Sequence, residues 1–297
     1  MLTSEKIDIV PKLKLSAARY GECARYRIQA SKDAANQQRA VSSELIENNP
    51  LNHRSFYNQI GEEPYMITIH PDNYKCIVFF TGAGMSAESG VPTYRGRGGV
   101  WSQYNWEEYA CQEAFDGDAE KVLKFHQLRR QSVLTCTPHA GHYSIAELEK
   151  KHPQVIVVTQ NIDGMHQRAG SKKVIELHGS LWRVRCPSHG IFEDIGETYK
   201  RFKCEQCGSW LRPDITWFGD MLNQDVISEA TVAIRQCDLF ISIGTSGVVW
   251  PAAGFPKVAR ESGACCIEIN PEPNEMSPLY NETVRETAGV ALPRLFA

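Results

Sequence analysis

Short apolar runs alternate with longer amphipathic segments from about residue 72 to the end of the chain. Each apolar run is rich in Ile, Val or Phe and is followed by small or polar residues. The runs are KCIVFF (75–80), VIVVT (155–159), LFISIG (239–244) and CCIEIN (265–270). Segments between them, such as HAGHYSIAELEKK and DVISEATVAIRQ, have helical character. Strands that alternate with helices predict a parallel α/β sheet. Ligands bind such sheets at the carboxyl ends of the strands, so the polar clusters should converge on one site.

An N-terminal segment of different composition precedes this pattern. Residues 1–60 hold nine Lys and Arg against six Asp and Glu, with Ala-rich stretches such as SAARYGECARYRIQASKDAANQQRA. The segment ENNPLNH interrupts these stretches. We therefore predict a helical extension over residues 1–70, acting as a cap or an oligomer contact, and a separate domain over residues 71–297. The sequence leaves the role of the extension and the oligomeric state open.

Composition limits the classes of function. The chain has 297 residues, of which 42% are hydrophobic, and a formal net charge of −3. This balance gives no electrostatic reason to bind nucleic acid or an anionic membrane, and we expect neither partner. No apolar run reaches the ~20 residues of a membrane-spanning helix. The start, MLTSEKIDIVPKLK, lacks the apolar core of a signal peptide. We therefore expect a cytoplasmic protein.

Three of the ten cysteines stand at metal-ligand spacing. Cys186-x2-His189 is followed after fourteen residues by Cys204-x2-Cys207, which is the spacing of a tetrahedral zinc site. Four protein ligands leave no position for water, so this zinc would be structural, in a small module at about residues 183–216. The alternative is a set of reduced thiols without metal. Four other cysteines lie in or beside apolar runs and are expected to be buried in a reducing compartment.

The first strand-like run leads into a glycine-rich segment, TGAGMSAESG (81–90). Glycines allow the backbone to approach a pyrophosphate closely, and the start of a helix supplies N–H donors and partial positive charge. The segment lacks the full GxGxxG spacing, and no acidic residue ends the next strand. On its own it fits either an anion-binding loop or an ordinary tight turn between a strand and a helix.

Five separate motifs resemble the signatures of the sirtuin family, in the family's order. They are GMSAESGVPTYRGRGGVW (84–101), TQNIDGMHQRAG (159–170), ELHGS (176–180), GTSGVVWPAAG (244–254) and EIN (268–270). The resemblance covers about residues 72–297 and is strongest to the bacterial and mitochondrial class III group, through LRPDITWFGD (211–220). It implies a Rossmann-like parallel sheet domain with a smaller zinc-binding and helical module. It also implies NAD-dependent removal of acyl groups from protein lysine, with release of nicotinamide and O-acyl-ADP-ribose.

The resemblance assigns roles to individual residues. His178 corresponds to the family's catalytic histidine, and histidine suits a general base because its pKa lies near neutral pH. Asn161 and Asp163 would act with it on the nicotinamide side, although Asp163 also fits an N-cap of the next helix. His142 and His166 are expected to be ordinary helix residues. The residues implied in NAD binding are Gly82, Ala83, Gly84, Ser86, Arg95, Gln160, Asn161, Asp163, Gly244, Thr245, Ser246, Asn270 and Ala288.

The expected acyl pocket departs from the family pattern. Relatives that prefer negatively charged acyl groups carry Tyr-x-x-Arg on a helix, whereas this chain has FHQLRR (125–130), with His126 at the tyrosine position and Arg129 at the arginine position. Arginine pairs bidentately with carboxylates, so acetyl, succinyl and malonyl groups are all candidate substrates. Protonation of His126 below pH ~6.5 would favour the acidic ones. The alternative is an exposed polar helix face.

The family resemblance also implies where a substrate peptide binds. Trp217, Phe218 and Gly219 would pair with an acylated lysine peptide as an added strand. Two other readings of the chain stay open. An enzyme with the same NAD site would act as a mono-ADP-ribosyltransferase or an NAD hydrolase, and a non-catalytic protein would act as an NAD-binding sensor.

Overall fold

The computed structural model describes residues 67–95 and 98–297. The predicted extension lies outside the described residues except for its last four, and Gly96 and Arg97 of the glycine-rich signature also lie outside them. Ile67 and Ile69 are buried in the core, and the backbone N–H of Ile69 donates to the carbonyl oxygen of Leu295 at 2.7 Å. The packed domain therefore already includes residue 67.

The described residues form nine strands in two sheets. The strands are β1 Ile77–Thr81, β2 Val155–Thr159, β3 Val174–Glu176, β4 Gly179–Cys186, β5 Gly190–Glu193, β6 Arg212–Ile215, β7 Leu239–Ile243, β8 Cys265–Ile269 and β9 Glu282–Val284. The larger sheet has the order β3-β2-β1-β7-β8-β9, and all its pairings are parallel. This parallel sheet confirms the predicted α/β class.

Ten α-helices accompany the strands in the described part of the chain. They are α1 Ala83–Ala87, α2 Val100–Gln103, α3 Trp106–Tyr109, α4 Gln112–Gly117, α5 Ala119–Leu134, α6 Ala140–Lys151, α7 Met165–Ala169, α8 Gln224–Gln236, α9 Phe255–Glu261 and α10 Ala288–Leu295. Short 3-10 helices cover Pro71–Asn73, Ala252–Gly254 and Ser277–Leu279. None of these helices is both long and apolar enough to cross a lipid bilayer.

The central strand β1 is apolar along its whole length because helices cover both faces of the sheet. Ile77 and Phe79 pack on one face, against α6 and α10. Val78 and Phe80 point to the other face, against α8 and α9. Successive side chains of a strand point to opposite faces, so a run of four apolar residues is what a doubly covered strand requires.

A second core joins the smaller antiparallel sheet, of order β5-β4-β6, to helix α5. Val122 and Leu123 of α5 pack there with Leu181 and Val184 of β4. Strand β4 begins at Gly179, so this sheet starts four residues before the zinc module expected at about 183–216.

The strand order determines where a ligand binds. The chain leaves β1 towards β2 and β3 on one side of the sheet, then returns to place β7, β8 and β9 on the other side. Such a reversal opens a crevice at the carboxyl ends of the central strands. The loops that follow β1, β2 and β7 carry most of the predicted NAD-binding residues, and they meet at this crevice.

Candidate functional site

Two loops touch at the carboxyl ends of β1 and β7, and glycine is required where they meet. The backbone N–H groups of Gly82 and Gly84 donate to the carbonyl oxygens of Ile243 and Gly244, at 2.9 and 2.8 Å. A Cβ on Gly84 would lie 2.7 Å from the Cα of Gly244. A Cβ on Gly244, whose φ is +58°, would collide with the backbone of Gly84 and Met85. The glycines are therefore required by the close packing of the two loops, which fixes the backbone where most of the predicted NAD-binding residues lie.

The side chain of Asn161 links the end of β2 to the glycine loop. Its buried Nδ2 donates to the carbonyl oxygen of Gly82 at 3.0 Å and to Oγ of Ser86 at 3.2 Å. Asp163 is also buried, and its Oδ1 accepts the backbone N–H of Met165 at 2.8 Å. The N-cap of α7 is Gly164, so the expectation that Asp163 is the N-cap is wrong, although its carboxylate does bond to the first residue of the helix. Burial raises the pKa of the Asp163 carboxyl. These contacts bring Ser86, Asn161 and the glycine loop into one cluster.

His178 lies directly beyond β3 with its ring in a defined orientation. Its Nδ1 lies 2.9 Å from the backbone carbonyl oxygen of Gln160. A carbonyl oxygen only accepts hydrogen bonds, so Nδ1 must carry the proton and Nε2 must carry the lone pair. Burial lowers the pKa of His178, with the Arg95 charge acting in the same direction and the Gln160 bond opposing them. The neutral imidazole with a basic Nε2 is the form that a general base requires.

A polar network joins the loops after β2, β7 and β8. Nε2 of Gln160 donates to the Thr245 hydroxyl at 3.0 Å, and Nδ2 of Asn270 donates to the Thr245 carbonyl at 3.1 Å. The sequence analysis missed two members. Nδ2 of Asn274 donates to the Thr245 carbonyl at 3.1 Å and to the buried carboxylate of Glu268 at 2.9 Å. The polar residues of EINPEPN, directly after an apolar run, are the signal that indicates them.

The remaining residues predicted to bind NAD lie around this network. Arg95 and Ser246 are exposed, and Ala83 lines a pocket together with Asn161. Ala288 is the first residue of α10 and is buried, with its carbonyl group packed closely against Gly141 of α6. The individual contacts of these four residues with NAD stay predictions.

The four predicted metal ligands come together at the end of the small sheet. Their ligand atoms all lie within 4.8 Å of one another. Sγ of Cys186 is 3.5 Å from both Nδ1 of His189 and Sγ of Cys207, and Sγ of Cys204 is 3.4 Å from Nδ1 of His189. A tetrahedron with Zn–S of about 2.3 Å and Zn–N of about 2.0 Å has edges of roughly 3.5–3.8 Å. The donor set and its spacing therefore fit zinc.

His126 does not have the role that the sequence suggested for it. It is buried on α5, with Nδ1 2.9 Å from the Val122 carbonyl oxygen and Nε2 accepting the indole N–H of Trp217 at 3.2 Å. Both ring nitrogens are thus occupied. Burial lowers its pKa to about 4, so the expectation that it becomes protonated below pH ~6.5 is wrong. The alternative of an exposed helix face is also wrong for this residue.

The tract predicted to pair with a substrate peptide forms a turn. Trp217 is buried, and its backbone N–H donates to the Asp220 carboxylate at 2.9 Å. The backbone N–H of Phe218 donates to the Ala110 carbonyl oxygen at 3.0 Å. Gly219 is exposed, with φ of +86°. Because two backbone N–H groups of the tract are already bonded within the chain, Gly219 is the part most open to a peptide, and pairing with substrate stays a prediction.

Arg129 lies beside Tyr94, a residue that the sequence analysis did not single out. The guanidinium carbon of Arg129 is 5.6 Å from the centre of the Tyr94 ring. Both side chains line the same pocket as Asn161 and Asp163. No short motif indicates this proximity, because Tyr94 lies in the loop after α1 and Arg129 lies on α5.

Two buried histidines pack behind the site, and one of them is linked to Asn161 by hydrogen bonds through two threonines. Nε2 of His166 lies 3.0 Å from the Thr81 hydroxyl, which itself donates to the Thr159 hydroxyl at 2.8 Å. The same Thr159 oxygen accepts the backbone N–H of Asn161 at 3.0 Å. His142 packs against His166, with ring centres 5.0 Å apart. Both histidines lie on helices, as expected, but they are fully buried and connect to the backbone of a predicted catalytic residue.

Comparison with known proteins gives a consistent result. The model of the Sir2 family matches residues 82–251. The chain is 46% identical over 222 residues to NAD-dependent protein deacylase 2 of Pyrobaculum aerophilum, covering 74% of this chain and 89% of that protein. It is 43% identical to the NAD-dependent protein deacylase of Aquifex aeolicus, covering 74% of this chain and 93% of that protein.

Solved structures agree with the sequence relatives. The chain is similar to a Sir2 homologue in complex with NAD, with a TM-score of 0.69 and 43% identity over 75% of this chain and 88% of the other. It is also similar to a mutant Sir2 homologue in complex with ADP-ribose, with a TM-score of 0.70 and 42% identity, covering 75% of this chain and 90% of the other.

Proposed function

The chain belongs to the Sir2 family, and on that basis we propose that it removes acyl groups from protein lysine by consuming NAD. The products are nicotinamide, the free lysine and O-acyl-ADP-ribose. One observation carries the proposal for this chain. The bond from His178 to the Gln160 carbonyl leaves Nε2 as a free base, and the side chain of Gln160 bonds to Thr245 of the predicted NAD-binding loop.

Among the residues of the crevice, His178 would transfer a proton and the others would bind NAD. NAD supplies the ribose that accepts the acyl group and the nicotinamide that leaves. His178 would accept the proton of a ribose hydroxyl at Nε2, and the lowered pKa of its half-buried ring keeps that atom unprotonated. Asn161 and Asp163 would hold the nicotinamide side. Gln160 and Thr245, which bond to each other, would contact the ribose and the phosphates.

A structural zinc would connect the strands of the smaller sheet. Cys186 ends β4 and His189 precedes β5, whereas Cys204 and Cys207 lie between β5 and β6. We propose that these four side chains hold one zinc ion. Because four protein ligands complete a tetrahedron, the ion would stabilise the module and take no part in the reaction.

The partners of the enzyme are acylated lysine side chains of other proteins. The relatives are named as protein deacylases, which supports a protein substrate over a free amino acid. The class III subgroup, the cytoplasmic location and the identity of the protein substrates stay predictions.

Product analysis tests the proposal. The protein is incubated with NAD and an acetyl-lysine peptide, and the products are identified by mass spectrometry. We expect deacetylated peptide, nicotinamide and O-acetyl-ADP-ribose, and no deacetylation without NAD. Protein modified with ADP-ribose would indicate a transferase, free ADP-ribose without deacetylation would indicate a hydrolase, and no turnover with retained NAD binding would indicate a sensor.

A further inference from the structure

Both peptide groups that flank Asp163 are bonded to consecutive residues of β4. The carbonyl oxygen of Ile162 accepts the backbone N–H of Leu181 at 2.9 Å. The carbonyl oxygen of Asp163 itself accepts the indole N–H of Trp182 at 2.8 Å. Rotation of these two peptide planes about the Cα of Asp163 sets the direction of its side chain. The direction of the Asp163 carboxylate therefore depends on the two bonds from β4.

The two bonds differ in the group that donates them. The bond from Leu181 comes from a main-chain N–H, which every residue except proline offers at that place. The bond to Asp163 comes from a side chain, and tryptophan is the one large apolar side chain that carries an N–H donor. The turn at Asp163 therefore depends on the identity of residue 182 in a way that it does not depend on residue 181.

The indole of Trp182 lies directly against the backbone of this turn. Gly164, the N-cap of α7, has φ of +74°, in the region that favours glycine. A Cβ on Gly164 would lie 2.6 Å from Nε1 and 2.9 Å from Cδ1 of Trp182. The absence of a side chain at Gly164 thus leaves the room that the indole needs to reach the Asp163 carbonyl.

The ring of Trp182 is itself restrained by charged neighbours. The guanidinium carbon of Arg130 is 5.6 Å from the centre of the ring, within the range of a cation–π contact. Arg130 is fully buried and pairs with the Asp194 carboxylate at 2.9 Å. The backbone N–H of Asp194 donates to the Trp182 carbonyl oxygen at 2.8 Å. Contacts from α5 and from the residue after β5 therefore hold the indole that bonds to Asp163.

The placement of the Asp163 carboxylate matters because this group lies on the predicted nicotinamide side of the crevice. Asp163 is buried and lines the same pocket as Asn161. Hydrogen bonds weaken steeply as their angle departs from linearity, and a displacement of about 1 Å at a positioned group can cost about 10²-fold in rate. A residue that fixes the turn at Asp163 can thus affect the reaction without contacting NAD.

We propose that Trp182 is a positioning residue for Asp163, whose indole N–H holds the peptide between Asp163 and Gly164 so that the carboxylate faces the carboxamide of the nicotinamide. The inference rests on the proposed function, in which NAD is consumed at this site. Trp182 lies two residues beyond the ELHGS motif, and the family resemblance assigns it no role. It acts through the main chain of the turn.

The test compares two ligands that differ in the nicotinamide. NAD carries the nicotinamide, whereas ADP-ribose has the same adenosine and pyrophosphate without it. Trp182→Phe keeps an aromatic ring and removes the N–H donor. Calorimetry should show that this variant binds NAD about threefold to tenfold more weakly than the wild type, the loss typical of one misplaced hydrogen bond, and binds ADP-ribose as the wild type does. Inhibition of turnover by free nicotinamide should weaken by the same factor.

Trp210→Phe is the matched control. Trp210 is another half-buried tryptophan of the small module, and its ring packs against Phe202. This variant should bind both ligands as the wild type does. Melting curves identify any variant that fails to fold. If Trp182→Phe fails to fold, the indole N–H signal of Trp182 in NMR spectra of isotope-labelled wild type replaces it, and this signal should shift with NAD but not with ADP-ribose.

A double-mutant cycle shows whether Trp182 acts through Asp163. Asp163→Ala removes the carboxylate and keeps the carbonyl oxygen that the indole binds. If the indole serves to aim the carboxylate, the selective effect of Trp182→Phe on NAD binding disappears when residue 163 is already Ala. Cycle energies of this kind are measured on binding and need no turnover.

Three results overturn the inference. An unchanged NAD affinity in Trp182→Phe would show that Asp163 keeps its direction without the indole N–H. Equal loss of NAD and ADP-ribose affinity would show that the indole only supports the fold of the crevice. An undiminished effect in the Asp163→Ala background would show that the indole acts through another group. Deacylation of an acetyl-lysine peptide by the wild type decides the proposed function separately, because the binding measurements do not depend on it.

Discussion

The Cα atoms of Gly84 and Gly244 approach so closely that neither position accepts a side chain. A Cβ built on Gly84 would lie 2.7 Å from the Cα of Gly244 and 2.8 Å from its carbonyl oxygen. Both neighbours are backbone atoms, which cannot rotate away. The contact joins the loop after β1 to the loop after β7, so the shape of the nucleotide crevice depends on it.

Gly84→Ala should therefore weaken both stability and NAD binding. Forcing one methyl group into a packed site costs about 1–3 kcal/mol, which lowers Tm by roughly 2–10 °C for a domain of this size. Differential scanning fluorimetry with and without NAD measures both effects. Gly117→Ala is the control, because a Cβ there meets no atom within 4 Å. If Gly84→Ala bound NAD as the wild type does, the crevice would not depend on this contact.

His178→Ala should abolish deacylation and leave NAD binding intact. Loss of a general base costs ~10²–10⁴ in rate, whereas the glycine loop and the Thr245 network remain. Turnover assays and calorimetric titration with NAD measure the two properties. His70→Ala removes an exposed histidine and serves as the control. Near wild-type turnover in His178→Ala would mean that another group is the base.

The acid limb of the pH profile should lie below the ordinary pKa of histidine. Burial lowers the pKa of His178, and the base works only when Nε2 is unprotonated. kcat/KM therefore falls as pH decreases through this lowered pKa and stays high above it. Measurement between about pH 5 and pH 8 should place the midpoint below about 6.5. A midpoint above that value contradicts the assignment of the limb to His178.

Local patterns in the sequence were sufficient for the sheet and for the metal cluster. The four apolar residues of β1, from Ile77 to Phe80, show a strand covered on both faces, because a half-exposed strand would alternate. The spacing of Cys186, His189 and the CxxC pair indicated a single site because a hairpin brings such pairs together. These features depend on short-range periodicity or on a fixed loop geometry.

Features that depend on the direction of a side chain could not be predicted from local sequence patterns. His126 and Arg129 are three residues apart on one helix. The ring of His126 is buried against Trp217, whereas the side chain of Arg129 lines a pocket. The rotation of α5 against the small sheet decides this, and sequence spacing does not report it. The same holds for Tyr94, whose partner is 35 residues away in the chain, and for Asn274 beside Glu268.

Zinc content should follow the ligand set of the small module. Purified protein should hold about one zinc ion per chain, and chelation should lower Tm because binding contributes to folding. Cys204→Ser should lose the metal, whereas His189→Cys should keep it, since a fourth thiolate is an equally suitable ligand. Plasma emission spectroscopy and melting curves measure this. Cys76→Ser, outside the cluster, is the control and should retain zinc. Absence of zinc from the native protein would refute the site.

Stability should decline in acid because three histidines are buried in neutral form. Burial lowers the pKa of His126 to about 4, that of His142 to about 2 and that of His166 to about 3. In the unfolded chain these groups take up protons near pH 6.5, so they favour the unfolded state increasingly as pH falls below that value. Above about pH 6.5 the three histidines are neutral in both the folded and the unfolded chain, so they no longer lower the free energy of unfolding. Asp163, whose pKa is raised by burial, acts in the opposite direction.

Replacing one of these histidines isolates its share of the acid sensitivity. His142→Gln keeps an acceptor for the His139 backbone N–H, which lies 3.4 Å from Nδ1, and removes the titrating ring. Between about pH 6 and pH 4.5, the free energy of unfolding of the variant should fall less steeply than that of the wild type, by up to about 1.4 kcal/mol per pH unit. Urea titrations at several pH values measure the slope, and the contribution of Asp163 cancels in the difference. His70→Gln controls for the loss of a histidine as such. Parallel slopes for wild type and His142→Gln would show that His142 takes up a proton in the folded state as readily as in the unfolded chain.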